Sequence, residues 1–178
     1  EREEVPSMQL LKEAQRIVTD NFLKNVNIKI LPAPDVWSIL GDRTQLYQVM
    51  INICINARDA MPKGGTLTVS AENRVLRKQD LVDLREETRP GAYVLIRIVD
   101  TGTGMPKEIE ERIFEPFFTT KELGKGAGLG LSASLAIIRS HGGFIQIYSE
   151  VGRGTQVSIF LPAIQNSNTA NPVIPNAQ

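Results

Sequence analysis

The sequence predicts an α/β two-layer sandwich, with a mixed, mostly antiparallel sheet and helices packed on one face. Three observations carry that expectation. Apolar runs of strand length, bounded by turn residues, recur at Thr66–Val75, Tyr93–Val99 and Phe144–Ser149. Two longer segments, residues 7–24 and 42–61, carry helical spacing or helix-end signals instead. A length of 178 residues with 42% hydrophobic content is enough for one domain with a real core.

In chain order, residues 7–24 form an amphipathic helix whose apolar stripe is Leu10, Leu11, Ala14, Ile17, Val18 and Phe22. Strands follow near Val26–Leu31 and Val36–Leu40. Asp42-Arg43-Thr44-Gln45 has the form of a capping box, with Asp at the N-cap and Gln three residues later. The helix it opens runs to Met61, where Pro62 and Gly64-Gly65 end it. Thr66–Val75 is a strand, and the charged residues 76–90 read as a solvated loop with one helical turn. Tyr93–Val99 is the central strand, Lys107–Ile113 a short helix, and residues 114–127 a mobile lid. Ser132–His141 is helical, with Gly142-Gly143 as its C-cap and His141 in a structural place that favours the helix dipole. Phe144–Ser149 and Thr155–Leu161 close a hairpin through Gly152-Arg153-Gly154. The tail from Gln165, rich in Asn, Pro, Ala and Ser without periodicity, reads as a disordered linker, so the domain spans 1–163 and the tail 164–178.

Lys125-Gly126-Ala127-Gly128-Leu129-Gly130-Leu131 is the most informative stretch for chemistry. Glycines let the backbone approach a ligand, and a helix starting behind them offers unpaired N–H groups and a positive dipole end. That describes a phosphate cradle, against the alternative of a flexible hinge. A P-loop is excluded because Gly126, not Ser or Thr, follows Gly124-Lys125. A dinucleotide fingerprint is excluded because the spacing is G-x-G-x-G and no strand leads into it. Asp100 ends the central strand and enters Thr101-Gly102-Thr103-Gly104-Met105-Pro106. Such a carboxylate can accept from a ligand amino group while the glycines admit a flat ring; the alternative is an ordinary Asp-Gly turn. Gln48, Asn52, Asn56 and Ala60 are spaced by four and share one face of an otherwise apolar helix. An Asn oxygen is a hard neutral ligand suited to Mg²⁺ held mainly by phosphates and water, unless the pair merely bonds neighbouring backbone.

The order of these pieces, with Phe114-Glu115-Pro116-Phe117-Phe118-Thr119-Thr120-Lys121 between the last two, resembles the catalytic and ATP-binding domain of sensor histidine kinases. That domain lies within the wider group that includes gyrase, Hsp90 and MutL. INICINARDAM is similar to its N box, DTGTGM to its G1 box, IFEPFFTTK to its F box and GKGAGLGLS to its G2 box. Ser140-His141-Gly142-Gly143 and Gly152-Arg153-Gly154-Thr155 also fit, so the resemblance covers about residues 8–163. The combination ARDAMPKGG with FEPFFTTKELGKG is similar to PAS-linked hybrid and nitrogen-regulator-like kinases. The fold implied is the Bergerat-type ATP-binding sandwich.

The resemblance implies ATP and Mg²⁺ as cofactors and assigns roles by position. Asn56 would hold Mg²⁺, and Asn52 would lie by the phosphates or metal. Asp100 would accept from the adenine amino group, Gly102 and Gly104 would admit the base, and Ile113 and Leu131 would pack near adenine or ribose. Backbone N–H groups of Gly128, Leu129 and Gly130, with Gly126 in the same loop, would hold the phosphates. Thr155 would join the water network around adenine, Phe118 would anchor the lid, and Lys121 would reach the γ-phosphate. Many members carry Lys-Phe or Lys-Tyr three and four places after the metal-binding Asn; here Asp59 and Ala60 stand there, beside the nucleotide, and Arg58 or Lys121 would replace the lysine. Hydrolytic relatives place a Glu where Asn52 stands, and an amide is no general base at neutral pH. The implied reaction is γ-phosphoryl transfer to a histidine, not hydrolysis.

That acceptor histidine belongs, in the resembled family, to a separate helical dimerisation domain of the same kinase. The single histidine here, His141, does not match it, so the acceptor is expected elsewhere. A response regulator receiver domain is the second expected partner, in hybrid kinases fused beyond such a tail. Lys+Arg 20 against Asp+Glu 20 gives net charge +0 with no basic block, which argues against nucleic acid. One cysteine, Cys54, suits a reducing cytoplasm. No apolar stretch reaches membrane-span length, so no direct membrane contact is expected, although the parent protein is open to an anchor elsewhere. A nucleotide-gated module like the heads of Hsp90 or MutL, and an interaction module with an inert site, are the alternatives.

Overall fold

The computed structural model describes residues 1–21, 25–115 and 129–165. The chain opens with a short strand the sequence reading did not anticipate, β1 (Glu3–Pro6), and enters helix α1 (Ser7–Asn21). Leu10, Leu11, Ala14 and Val18 of the expected stripe are buried. Strands β2 (Val26–Ile30) and β3 (Ser38–Gly41) lead to helix α2 (Arg43–Asp59), where the Asp42 carboxylate accepts from the Gln45 N–H at 3.1 Å, a true N-cap. Then come β4 (Gly65–Leu76), α3 (Lys78–Asp83), β5 (Gly91–Asp100), α4 (Lys107–Glu110), α5 (Leu129–Ser140), β6 (Phe144–Glu150) and β7 (Gly154–Ile164).

The sheet runs β1-β3-β7-β5-β4-β2, with β6 alongside β7. Among the described residues only the β2–β4 pairing is parallel; the rest are antiparallel, as expected of a mixed, mostly antiparallel sheet. Strand β5 lies between β4 and β7, and alternation gives it two working faces. Val94, Ile96 and Ile98 join Leu46, Val49, Met50, Ile53 and Ile138 of α2 and α5 in the main core.

Tyr93 and Leu95 point the other way, into a second small core with Leu76, Leu81, Phe144 and Phe160. Phe144 and Phe160 face each other across β6 and β7 with ring centroids 4.5 Å apart. The segment 76–90 is therefore more than a solvated loop. Its helix α3 folds Leu81 onto the outer face of the sheet, and Glu86 accepts from Gln146 at 2.7 Å. Apolar residues scattered among charges concealed this lid, since too few fall in register to give a helical period.

His141 keeps the structural place expected of it, by contacts the sequence did not show. Its ring is buried, not offered as a cation to the helix dipole. Nε2 accepts from the Asp42 N–H at 3.0 Å, and Nδ1 donates to the Ile137 carbonyl at 2.8 Å, the pattern of a neutral imidazole. The end of α5 is thereby tied to the start of α2, and the antiparallel pair brings the start of α5 to the end of α2.

Candidate functional site

Helix α2 presents Asn52 and Asn56 half-buried, and Ala60 caps its end. Helix α5 (Leu129–Ser140) already includes Gly130 and Leu131, where the glycine pattern suggested a start at Ser132. The described part of α5 opens with Leu129, Gly130, Leu131 and Ser132. A Cβ on Gly130 would stand 3.7 Å from Asn56 Nδ2, so the amide side chain lies against that glycine of α5. Leu131 is half-buried against the main core, and Ile113 is half-buried in the turn after α4, which ends earlier than expected.

Asp100 is 6% exposed at the end of β5. Both of its backbone donors, Gly102 N–H at 2.9 Å and Thr155 N–H at 3.1 Å, go to Oδ1. Oδ2 is left as the oxygen able to meet a ligand. Burial pushes the carboxyl above the ordinary aspartate value of 3.8, and the two N–H bonds draw it part of the way back.

The loop after Asp100 is held at both sides. Thr103 N–H donates to the Ala60 carbonyl at 2.9 Å, and a Cβ on Gly102 would meet that carbonyl at 2.5 Å. Thr101 Oγ1 accepts from Thr66 N–H at 3.1 Å and lies 3.6 Å from Met61 Sδ. On the far side Gly152 N–H donates to the Thr103 carbonyl at 2.8 Å. Gly104 has φ +69, and a Cβ there would fall 2.0 Å from the Glu150 carbonyl. Gly104→Ala is expected to cost roughly 2–4 kcal/mol, since left-handed strain and overpacking add. A denaturant midpoint equal to wild type would show that the loop and hairpin do not need this contact.

Asp100, Gly102, Ala60, Asn56 and Gly130 thus converge, one turn of α2 linking the turn after Asp100 to the described start of α5. Arg58 forms an ion pair with Asp59 at 3.0 Å, so neither side chain stands apart from its neighbour. Phe118, Lys121, Gly126 and Gly128, with the lid and the expected tail, lie outside the described residues. Among the described residues no cluster of three or more His, Cys, Asp or Glu gathers. A divalent ion here would depend on an amide oxygen, ligand phosphates and water, a set that suits Mg²⁺. Thr101, Thr103 and Ser149 were not singled out from the sequence; counting back across the hairpin turn places Ser149 opposite Thr155, the one signal that could have found it.

Residues 41–165 match the family model described as histidine kinase-, DNA gyrase B- and HSP90-like ATPase. Sensor kinase CckA of Brucella abortus is 46% identical over 149 residues, 83% of this chain and 16% of that protein. Sporulation kinase C of Bacillus subtilis is 36% identical over 161 residues, 89% of this chain and 33% of that protein. The chain therefore spans a third or less of these two relatives. Among solved structures, the catalytic domain of histidine kinase ThkA superposes with TM-score 0.71 at 27% identity, covering 92% of this chain and 96% of that one. Full-length ShkA in complex with AMPPNP superposes with TM-score 0.72 at 23% identity, covering 93% and 32%, a likeness of fold.

Proposed function

Because the chain belongs to the family of histidine kinase-, DNA gyrase B- and HSP90-like ATPases, we propose that it binds Mg-ATP and donates the γ-phosphoryl group to a histidine on a helical dimerisation domain. The observation that carries the nucleotide reading is Asp100, buried, with both backbone donors on one oxygen and the other oxygen unspent. That oxygen accepts from the adenine amino group, and the N–H groups at the start of α5 receive the phosphates. Asn56 supplies the protein's amide oxygen to Mg²⁺, which when bound neutralises charge on the phosphate oxygens. Asn52 argues for transfer over hydrolysis, since an amide cannot take a proton from water at neutral pH. Phosphoryl transfer of this kind depends on positioning and charge stabilisation. A receiver domain is the downstream partner in this reading.

Incubation of the chain with γ-labelled ATP, Mg²⁺ and the histidine-bearing domain of the same kinase tests the proposal. Label is expected on the histidine. Release of inorganic phosphate without labelled histidine would favour the gyrase-like and Hsp90-like reading, and absence of ATP binding would leave an interaction module.

A pH dependence follows from the Asp100 carboxyl, whose pKa lies above the ordinary value. A protonated oxygen loses the lone pair that accepts the amino group, so ATP binding weakens on acidification, beginning above pH 3.8. The affinity ratio of wild type to Asp100→Asn, followed from neutral pH down to that value, is expected to shrink. A flat ratio would remove the ionised carboxylate from recognition.

A further inference from the structure

We infer that Ser149 sets the direction of the Thr155 hydroxyl proton, and so makes the base pocket select a 6-amino purine over a 6-keto one. The inference rests on the ATP reading above and extends it from binding to base selectivity.

Ser149 on β6 and Thr155 on β7 are partners in the ladder, and their hydroxyl oxygens lie 2.8 Å apart. Ser149 Oγ has two further contacts: the Met105 N–H at 2.8 Å and the Gly154 carbonyl at 3.2 Å. A hydroxyl has one proton to give and two lone pairs to accept with. The Met105 N–H can only donate, so it occupies one lone pair. The Gly154 carbonyl can only accept, so it takes the single proton of Ser149. One lone pair remains for Thr155, whose hydroxyl must therefore be the donor across the 2.8 Å contact. All three contacts of Ser149 are then satisfied at once.

The consequence falls on Thr155. With its proton committed to Ser149, its oxygen offers only lone pairs to anything else. Thr155 stands beside Asp100, since its N–H is on Asp100 Oδ1 at 3.1 Å. The base pocket is then offered two acceptors, Asp100 Oδ2 and Thr155 Oγ1, on residues that continue the β5–β7 ladder past Val99 and Gln156. An amino group, or a water it donates to, satisfies such a pair. A keto oxygen brings another lone pair and is refused, and a site built for hydrogen bonding discriminates most strongly in this way. Ser149 does not itself need to touch the nucleotide; it is a positioning residue. Without its oxygen the Thr155 rotor is free to turn and donate, and a keto base becomes tolerable.

The test is calorimetric binding of ATP and of inosine triphosphate, which carries keto in place of the amino group, to the chain with Mg²⁺ present. Wild type is expected to prefer ATP. In Ser149→Ala the ATP-to-inosine-triphosphate preference is expected to fall roughly threefold to tenfold, the value of one neutral hydrogen bond. Ser149→Thr, which keeps the hydroxyl, is expected to restore it. Ser149→Cys keeps the size with a weak acceptor, so it reports the same fall should the alanine variant fail to fold. If Ser149→Ala or Ser149→Cys weakens both nucleotides equally, the residue only holds the hairpin to the loop and the inference is overturned while the ATP reading stands. If wild type binds neither nucleotide, the ATP reading falls and the inference falls with it.

Discussion

Asp100→Asn is expected to lower ATP affinity roughly tenfold to a hundredfold, the loss of one hydrogen bond to a charged acceptor. The geometry makes the outcome sharper than the chemistry alone. Gly102 and Thr155 both donate to Oδ1, so the variant's carbonyl oxygen must take that position and its NH₂ must take the other. The group facing the adenine amino would then be a donor facing a donor, and a side-chain flip cannot relieve it without breaking both backbone bonds. The fold should not suffer. Burial raises the Asp100 pKa in the folded state. Stability linked to that shift is full below the unfolded pKa and is lost as pH rises through the folded one, so the ionised group is a net cost at neutral pH. The variant should accordingly melt at or above the wild-type temperature. Calorimetry for affinity and thermal unfolding for stability check both halves; unchanged affinity would sink the adenine role.

Asn56→Ala is expected to abolish the tightening of nucleotide binding by Mg²⁺ and to reduce phosphoryl transfer at least tenfold, on the order of losing a group that orients a metal. Asn56 is half-buried at the site and lies against Gly130, so truncation leaves the core of α2, built from Leu46, Val49, Met50, Ile53 and Cys54, in place. Far-ultraviolet circular dichroism should be unchanged. Titration of ATP with Mg²⁺ and with a chelator is the decisive comparison. A variant that still gains wild-type affinity from Mg²⁺ would place the metal on another residue.

The parts of this domain that local rules govern were legible in the sequence. The Asp42 cap, the four-residue spacing of Asn52 and Asn56, and Asp100 at a strand end all follow from chemistry within a few residues. The site also rests on contacts that no local rule reaches. His141 accepts from Asp42 across 99 residues, and Gly130 meets Asn56 at the other end of the same antiparallel helix pair. The outer core was half legible. Tyr93–Val99 is apolar on both faces apart from Arg97, and a strand so patterned must be covered twice. What covers it, Leu81 of α3, sits among charges that mask its period. Gly130 lies inside α5, although glycine's poor helix propensity argued for a later start.

The bond between His141 and Asp42 gives the helix pair a fulcrum. Helix α5 is 12 residues long as described, or about 18 Å, and it is pinned at the end remote from Gly130. A rotation of about 5° around that pin would carry the Gly130 end by about 1.5 Å, while the pinned end hardly moves. On the proposed reading the pair would act like tweezers, with Asn56 and Gly130 at the jaws and a buried imidazole at the joint. Part of its stiffness is set far from Gly130, by one ring nitrogen and one backbone N–H, beside the core packing of Leu46, Ile53 and Ile138. Loosening that joint would change how firmly the jaws grip without altering any group that touches what they hold.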